Sequence, residues 1–204
     1  MIIDSKTSQS LFVSIPTDNI LKAKTSNVDL LMKNSTMFAE IICLKNKNFT
    51  VYEKIIDFRY SYSEPANLKW EILKETKQIG QYKARQAKCK AYGRQWFAWF
   101  TSEIPLNYGP YKFSGLPGLI LELHDSQNQF SFSLQDFQKK VIRRKLPNSK
   151  DYQQLDKEKF YKRRFRILTA DDGSMLFNNA DERKKWFDNI FKTNSVLNNK
   201  KKNG

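Results

Sequence analysis

Apolar and polar residues alternate along much of this chain in short segments, a pattern typical of β-strands with one buried face. Five such segments follow one another in its central part, separated by glycines or polar turn residues. The gaps between them are too short for the crossovers that parallel strands need. The pattern therefore predicts an antiparallel meander. Its expected strands are 68–75, 82–91, 94–101, 116–123 and 129–134.

Three more strands and a helix are expected before this series. Residues 36–44 and 50–61 are rich in β-branched and aromatic side chains, and the polar residues 45–48 between them predict a hairpin turn. A shorter alternating run covers residues 10–15. Asp18 then begins a segment with helical spacing of its apolar residues.

The pattern changes after the meander. Residues 161–168 predict a final strand, and residues 179–191 predict a helix whose apolar stripe packs on the sheet. We expect a mainly β fold with some α (α+β), built as a curved antiparallel sheet or half-barrel with a C-terminal helix packed on it. Residues 1–192 form one predicted domain, and residues 193–204 form a disordered basic tail.

Composition indicates a folded chain without a membrane-spanning helix. Hydrophobic residues make up 40% and aromatic residues 14% of the 204 residues, which is enough for a core and excludes global disorder. No apolar run approaches the roughly eighteen residues of a membrane-spanning helix. We therefore expect no transmembrane segment.

Positive charge is concentrated in the C-terminal third. The formal net charge is +15, and nineteen Lys and Arg but eight Asp and Glu lie in residues 139–204. Such a field attracts polyanions, although a solvated surface gives the same pattern. The candidate polyanion-binding residues are Arg143, Arg144, Arg163 and Arg164.

The predicted strand 94–101 carries aromatic rings on both faces. Trp96 and Phe100 share one face, whereas Phe97 and Trp99 lie on the other. Either the strand is buried on both sides or one face lines an apolar pocket, and both interpretations stay open. With the loop that follows, the candidate binding residues are Trp96, Trp99, Tyr111, Phe113 and Leu116.

Prolines and glycines are concentrated in one loop. Residues 105–118 contain three of the six prolines and three of the seven glycines. Proline fixes φ, and glycine opens the region of positive φ, so the stretch predicts a specifically bent connection between two strands. Such a loop either sets the register of the sheet or forms the rim of a binding site.

Inside this loop, the string Gly115-Leu116-Pro117-Gly118-Leu119-Ile120 is the signature that gives the GLPGLI family its name, and the chain resembles that family. The resemblance covers roughly residues 30–135. The matching surroundings are Trp70 with Ile72, residues 79–82, the aromatic residues 96–100 before Thr101, residues 103–105, residues 109–113 and the run on to Leu123.

The resemblance implies an envelope protein of Gram-negative bacteria, located in the periplasm or at the outer membrane. Members usually carry a signal peptide, their biochemical function is not established, and no catalytic residue carries over. Ala84 stands where many members have a cysteine. Residues 1–20 lack a basic start, an apolar stretch and a cleavage site, which leaves a truncated start or a cytoplasmic protein as the two interpretations.

Few residues are available for catalysis. Asp125 follows His124, the single histidine, but neighbours on a strand point to opposite faces and make a poor dyad. Cys43 and Cys89 are too few and too far apart for a zinc site, and the sequence leaves open whether they pair. We expect no enzymatic activity, no cofactor and no metal.

Two functional hypotheses follow. The first is a non-enzymatic envelope protein that binds an apolar or peptide-like partner, such as an outer-membrane or periplasmic protein, on an aromatic-lined sheet face. The alternative is polyanion binding through the basic C-terminal third, with anionic lipid, polysaccharide or, less favoured, nucleic acid as the partner.

Overall fold

The computed structural model describes residues 1–23, 38–55, 57–142 and 144–169. Within these ranges the chain is mainly β and divides into two compact units. The first unit comprises residues up to Glu64 together with those from Pro147 onward, and the second comprises Pro65–Leu146. The single domain expected over residues 1–192 stays a prediction.

The first unit contains one open sheet of six strands. These are β1 (Ile2–Asp4), β2 (Gln9–Phe12), β3 (Ile41–Lys45), β4 (Asn48–Ile55), β5 (Phe58–Pro65) and β11 (Gln153–Gln154). The first five lie side by side in chain order, and β11 adds to β5 in parallel. Part of the core lies between Leu11, Ile41 and Tyr52, with the ring of Tyr152 at 4.9 Å from that of Tyr52.

Two details of this sheet test the sequence pattern. The hairpin turn at residues 45–48 is confirmed, since Asn46 and Lys47 have φ of 51° and 57°, the combination that joins two strands tightly. The single strand expected at 50–61 is wrong, because the chain turns at Asp57 and continues as β5. No glycine or proline marks that turn.

Two α-helices belong to the first unit: α1 (Ile15–Ala23) and α2 (Lys157–Thr169). Asp156 caps α2 by accepting a 2.7 Å hydrogen bond from the Lys159 backbone N–H. Phe160 packs against Tyr62 of the sheet at 4.8 Å between rings. A C-terminal helix on the sheet is thus confirmed, but the strand expected at 161–168 is wrong, and the helix expected at 179–191 lies outside the described residues.

The second unit is an antiparallel meander of five strands, as predicted. They are β6 (Glu71–Ile79), β7 (Tyr82–Ala91), β8 (Arg94–Thr101), β9 (Leu119–Asp125) and β10 (Ser131–Ser133). The predicted bounds of β7 and β8 are confirmed. Their hairpin turns at Tyr92 and Gly93, which have φ of 52° and 76°.

The sheet of the second unit has one buried and one partly exposed face. Cross-strand pairing aligns Cys89 with Trp96 and Ala87 with Ala98, and all four side chains are buried. On the opposite face Phe97 is only half-buried. Rings therefore do occur on both faces of β8, but the two faces have different environments.

Candidate binding groove

The loop between β8 and β9 is folded back onto its own sheet by backbone hydrogen bonds. Leu119 N–H donates to the Ile104 carbonyl at 3.0 Å, and Ile120 N–H donates to the Tyr108 carbonyl at 3.0 Å. Gly115 N–H closes a smaller hairpin by donating to the Asn107 carbonyl at 3.1 Å. The proline- and glycine-rich stretch is therefore a fixed structure.

Gly118 determines how closely this loop approaches the sheet. Its φ is +153°, and a Cβ there would lie 2.0 Å from the carbonyl oxygen of Thr101. Only glycine permits that approach of two backbones. Gly115 has φ of +95°, but a Cβ there would face open space. Glycine is therefore favoured at this position by the backbone conformation alone.

Beneath the loop lies a cluster of buried aromatic rings. Phe113 is the central member, with its ring centre 4.6 Å from Trp96 and 5.6 Å from Tyr92. The indole N–H of Trp70 donates to the Ser114 carbonyl at 2.9 Å. Lys112 is fully buried, with its Nζ 4.9 Å from the centre of the Tyr92 ring.

The structure places most predicted binding residues in this core. The buried ones are Trp96, Tyr111, Phe113 and Leu116, each at most 5% exposed. Trp99 alone among the five is half-buried, on the opposite face, where the Nζ of Lys77 lies 4.6 Å above its ring and pairs with Glu122 at 2.5 Å. Whether these residues bind a partner stays a prediction.

A groove of about 460 Å³ opens beside the loop. Its floor contains the buried side chains of Ala84 and Phe100, and the exposed Pro117 of the signature string forms part of its wall. Ile72 lines it from β6, where a bulge between Ile72 and Thr76 interrupts the pairing with β7. Bulges of this kind are common beside binding sites.

Charged side chains line the rim of the groove. Lys83, Arg85 and Glu103 are exposed there. Glu103 accepts a 2.8 Å hydrogen bond from the Lys83 backbone N–H, and Arg85 donates to the Leu73 carbonyl at 2.6 Å. Two cations and one carboxylate thus surround an apolar floor, which suits a ligand with an apolar group and polar or acidic flanks.

The four predicted polyanion-binding arginines have different environments. Arg163 is exposed on α2, and Arg144 is half-buried. Arg164 is buried, and its Nε donates to both carboxylate oxygens of Glu53 at 2.9 and 3.0 Å. Arg143 lies outside the described residues.

Arg164 belongs to a buried ionisable cluster of the first unit. Burial, and the charge of Glu40, raise the pKa of Glu53 to about 7 against the attraction of Arg164. Glu40 is 3% exposed, and its Oε2 has no hydrogen-bond partner among the described residues. Burial raises the pKa of Tyr161 as well. Two carboxylates facing one guanidinium favour retention of a proton.

The two cysteines have weakly nucleophilic thiols, and the histidine packs on an aromatic ring. Cys43 and Cys89 are both free, and burial raises the pKa of their thiols to about 11 and about 12. Protonated thiols are weak nucleophiles. The ring of His124 stacks on Phe97 at 5.6 Å. Over the part of the chain that the structure describes, no group of His, Cys, Asp and Glu could hold a metal ion.

Comparison with known proteins gives a partial family match. A family model described as "Protein of unknown function (Porph_ging)" matches residues 91–122, which contain β8, the loop and the string Gly115–Ile120. No curated protein matches the chain.

Solved structures show the same fold. Two structures of PNGF-II, in the C2 and P21 space groups, superpose with TM-scores of 0.55 and 0.54 at 12% identity. They match 79% and 78% of this chain, which spans 28% of the length of each PNGF-II chain. At this identity the likeness concerns the fold alone.

The residues that line the groove are scattered along the chain, so no local sequence pattern predicted it. The loop was expected as a possible rim, but the contribution of β6 and β7 was not. Ile72, Ala84 and Phe100 converge only once the strands pair. In the folded chain the site is marked by the solvent exposure of Ile72, which lies in a strand without a buried residue.

Proposed function

We propose that this chain is a non-enzymatic binding module of the GLPGLI type that holds an apolar side chain of a peptide-like partner in the groove beside Pro117. The observation that carries the proposal is the groove itself, which combines a floor of Ala84 and Phe100 with a charged rim. Its volume of about 460 Å³ lies within the range of about 300–1,000 Å³ common for ligand pockets.

The signature string has a defined part in this proposal. Gly118 holds the loop against Thr101, and this fixes Pro117 in the wall of the groove. A preformed wall reduces the ordering cost of binding. The string therefore acts as a positioning element for the groove, and its partner-contacting residue is Pro117.

The partly exposed face of β8 offers a second contact area for the same partner. The rings of Phe97 and His124 stack there, and Trp99 lies on the same side of the strand. Aromatic rings that are only half-buried supply large contact areas at a small entropic cost. Of the five candidate binding residues expected from the sequence, Trp99 lies on this face.

A role without catalysis agrees with the chemistry of the two cysteines, because partial or full burial raises the pKa of their thiols to about 11 and about 12. The resemblance to the GLPGLI family supports an envelope location, in the periplasm or at the outer membrane. Among the described residues, no helix has the length and apolar content needed to cross a membrane.

Peptide selection tests the proposal. The immobilised protein selects from random 12-residue peptides displayed on phage, and the Kd of the enriched peptides is then measured. We expect enrichment of peptides with an apolar residue. Ile72→Arg should raise the Kd of these peptides at least about tenfold, because a charge then faces the apolar floor. Ile15→Arg, at a 77% exposed position in α1, is the control.

Two outcomes would overturn the proposal. One is a selection that enriches no peptide above background. The other is a set of peptides that bind wild type, Ile72→Arg and Ile15→Arg equally, since the contact would then lie elsewhere.

A further inference from the structure

Exposed apolar side chains are concentrated in the segment that follows β10. Ten large hydrophobic residues are exposed among the described residues, and four of them lie within residues 137–146. They are Phe137 at 41%, Val141 at 99%, Ile142 at 45% and Leu146 at 47% exposed. Scattered single exposures need no explanation, but four exposed apolar side chains within ten residues indicate a candidate interaction site.

The same segment carries exposed lysines. Lys139, Lys140 and Lys145 lie between the apolar residues along the chain, and all three are exposed. The single acidic residue within 135–146 is Asp136, which accepts a hydrogen bond from Gln138. The segment therefore combines apolar side chains with net positive charge.

The backbone of this segment leaves those side chains outside the core of its unit. The described residues between Leu134 and Leu146 form no helix or strand. Val141 is almost completely exposed, and such exposure of an apolar side chain is unfavourable in water. Insertion into an apolar phase would remove that cost.

We propose that residues 137–142 and 144–146 dock the protein on an anionic lipid surface. Val141, Ile142 and Leu146 insert at the level of the head groups, and the lysines attract the acidic lipids. Interfacial segments bind through this combination of buried apolar area and electrostatic attraction. The site is separate from the groove and does not depend on the function proposed for it.

The chemistry of the segment favours lipid over nucleic acid. Phosphate backbones are bound by cations, and unpaired bases are bound by stacking on aromatic rings. Neither interaction uses Val141, Ile142 or Leu146. A lipid surface is the polyanion that uses both the lysines and the aliphatic side chains.

Vesicle sedimentation with the full chain tests this proposal. Vesicles of phosphatidylcholine with one quarter phosphatidylglycerol should bind the protein, and vesicles of phosphatidylcholine alone should bind it at least about tenfold more weakly. Val141→Ser/Ile142→Ser should reduce binding to the anionic vesicles about tenfold. The control Ile15→Ser/Leu21→Ser replaces two exposed apolar residues of α1 and should leave binding unchanged.

A second variant tests the electrostatic contribution of the lysines separately from the apolar contribution. Lys139→Gln/Lys140→Gln/Lys145→Gln should weaken binding at low salt and reduce the dependence of binding on salt concentration. The proposal is overturned if anionic vesicles do not bind, or if Val141→Ser/Ile142→Ser binds like wild type. It is also overturned if a DNA duplex displaces the vesicles and binds equally well. Both variants should bind the groove peptides like wild type, because none of the substituted residues lines the groove.

Discussion

Gly118 and Thr101 are in backbone contact, and a Cβ at residue 118 would lie 2.0 Å from the Thr101 carbonyl oxygen. Because the obstructing atom belongs to the backbone, a Cβ at residue 118 would fit only if the loop or β8 shifted. We expect Gly118→Ala to lower the free energy of unfolding by at least about 3 kcal/mol. Urea unfolding measures this change.

Gly115→Ala is the matched control for that variant. Gly115 also has positive φ, but a Cβ there meets nothing within 4 Å. Its cost should be that of backbone conformation alone, about 1–2 kcal/mol. Equal losses for the two variants would contradict the assigned role of the contact with Thr101.

Arg163 and Arg164 are neighbours in α2 with opposite environments. Arg163 is exposed, whereas Arg164 is buried against Glu53. Arg164→Met should cost about 3–5 kcal/mol of stability, because it leaves a buried carboxylate without its cation. Arg163→Met should change stability by no more than about 0.5 kcal/mol. Thermal and urea unfolding of both variants check this, and a stable Arg164→Met protein would show that the ion pair contributes little.

Glu53 makes stability depend on pH. Its pKa is raised from 4.5 to about 7 in the folded protein by burial and by Glu40. The folded state therefore retains a proton that the unfolded state releases, and this contribution to stability is lost as the pH rises from about 4.5 to about 7. The slope is at most about 1.4 kcal/mol per pH unit.

Glu53→Gln isolates this contribution to stability, because the amide does not titrate. The difference in unfolding free energy between wild type and variant should decrease between pH 4.5 and pH 7.5. Arg164, Tyr161 and Glu40 face the same site in both proteins and serve as a common background. Parallel stability profiles over this range would contradict the raised pKa.

Trp96 and Trp99 belong to the same strand but to different faces. Trp96 is fully buried and packs on Phe113, whereas Trp99 is half-buried under Lys77. Trp96→Ala should cost about 3–5 kcal/mol by leaving a cavity. Trp99→Ala should cost about 1 kcal/mol, and its larger effect should be on partner binding. Unfolding and peptide affinity measured on both variants separate packing from recognition; the reverse order of stabilities would contradict this assignment.

Local sequence signals determined the second unit well. Gly80 and Gly93 mark both ends of β7, and regular alternation through 82–101 predicted the bounds of β7 and β8. The meander followed from the short gaps between strands. These features are local, so a single sequence was enough to find them.

The C-terminal helix shows where the sequence pattern misled. Tyr161, Phe165 and Ile167 favoured a strand by composition. Yet the buried residues Phe160 and Arg164 are four apart, which is helical spacing, and Asp156 caps the first turn. The strand prediction took no account of Asp156, whose position before the segment is that of a helix cap.

Contacts between residues far apart in the chain account for the features that the sequence did not predict. The partner of Arg164 is 111 residues away in the chain, so nothing near Arg164 distinguished it from the exposed Arg163. The groove likewise depends on contributions from β6, β7, β8 and the loop. Such sites appear only when the strand pairing and the loop contacts are known.

Methyl NMR shows directly whether an apolar peptide binds in the groove beside the Gly115–Ile120 loop. The protein is labelled at isoleucine and alanine methyl groups and titrated with an enriched apolar peptide. We expect the largest methyl chemical-shift changes at Ile72 and Ala84, and no change at Ile15. Shifts confined to Ile142, or to isoleucines of the first unit, would contradict a binding groove beside the Gly115–Ile120 loop.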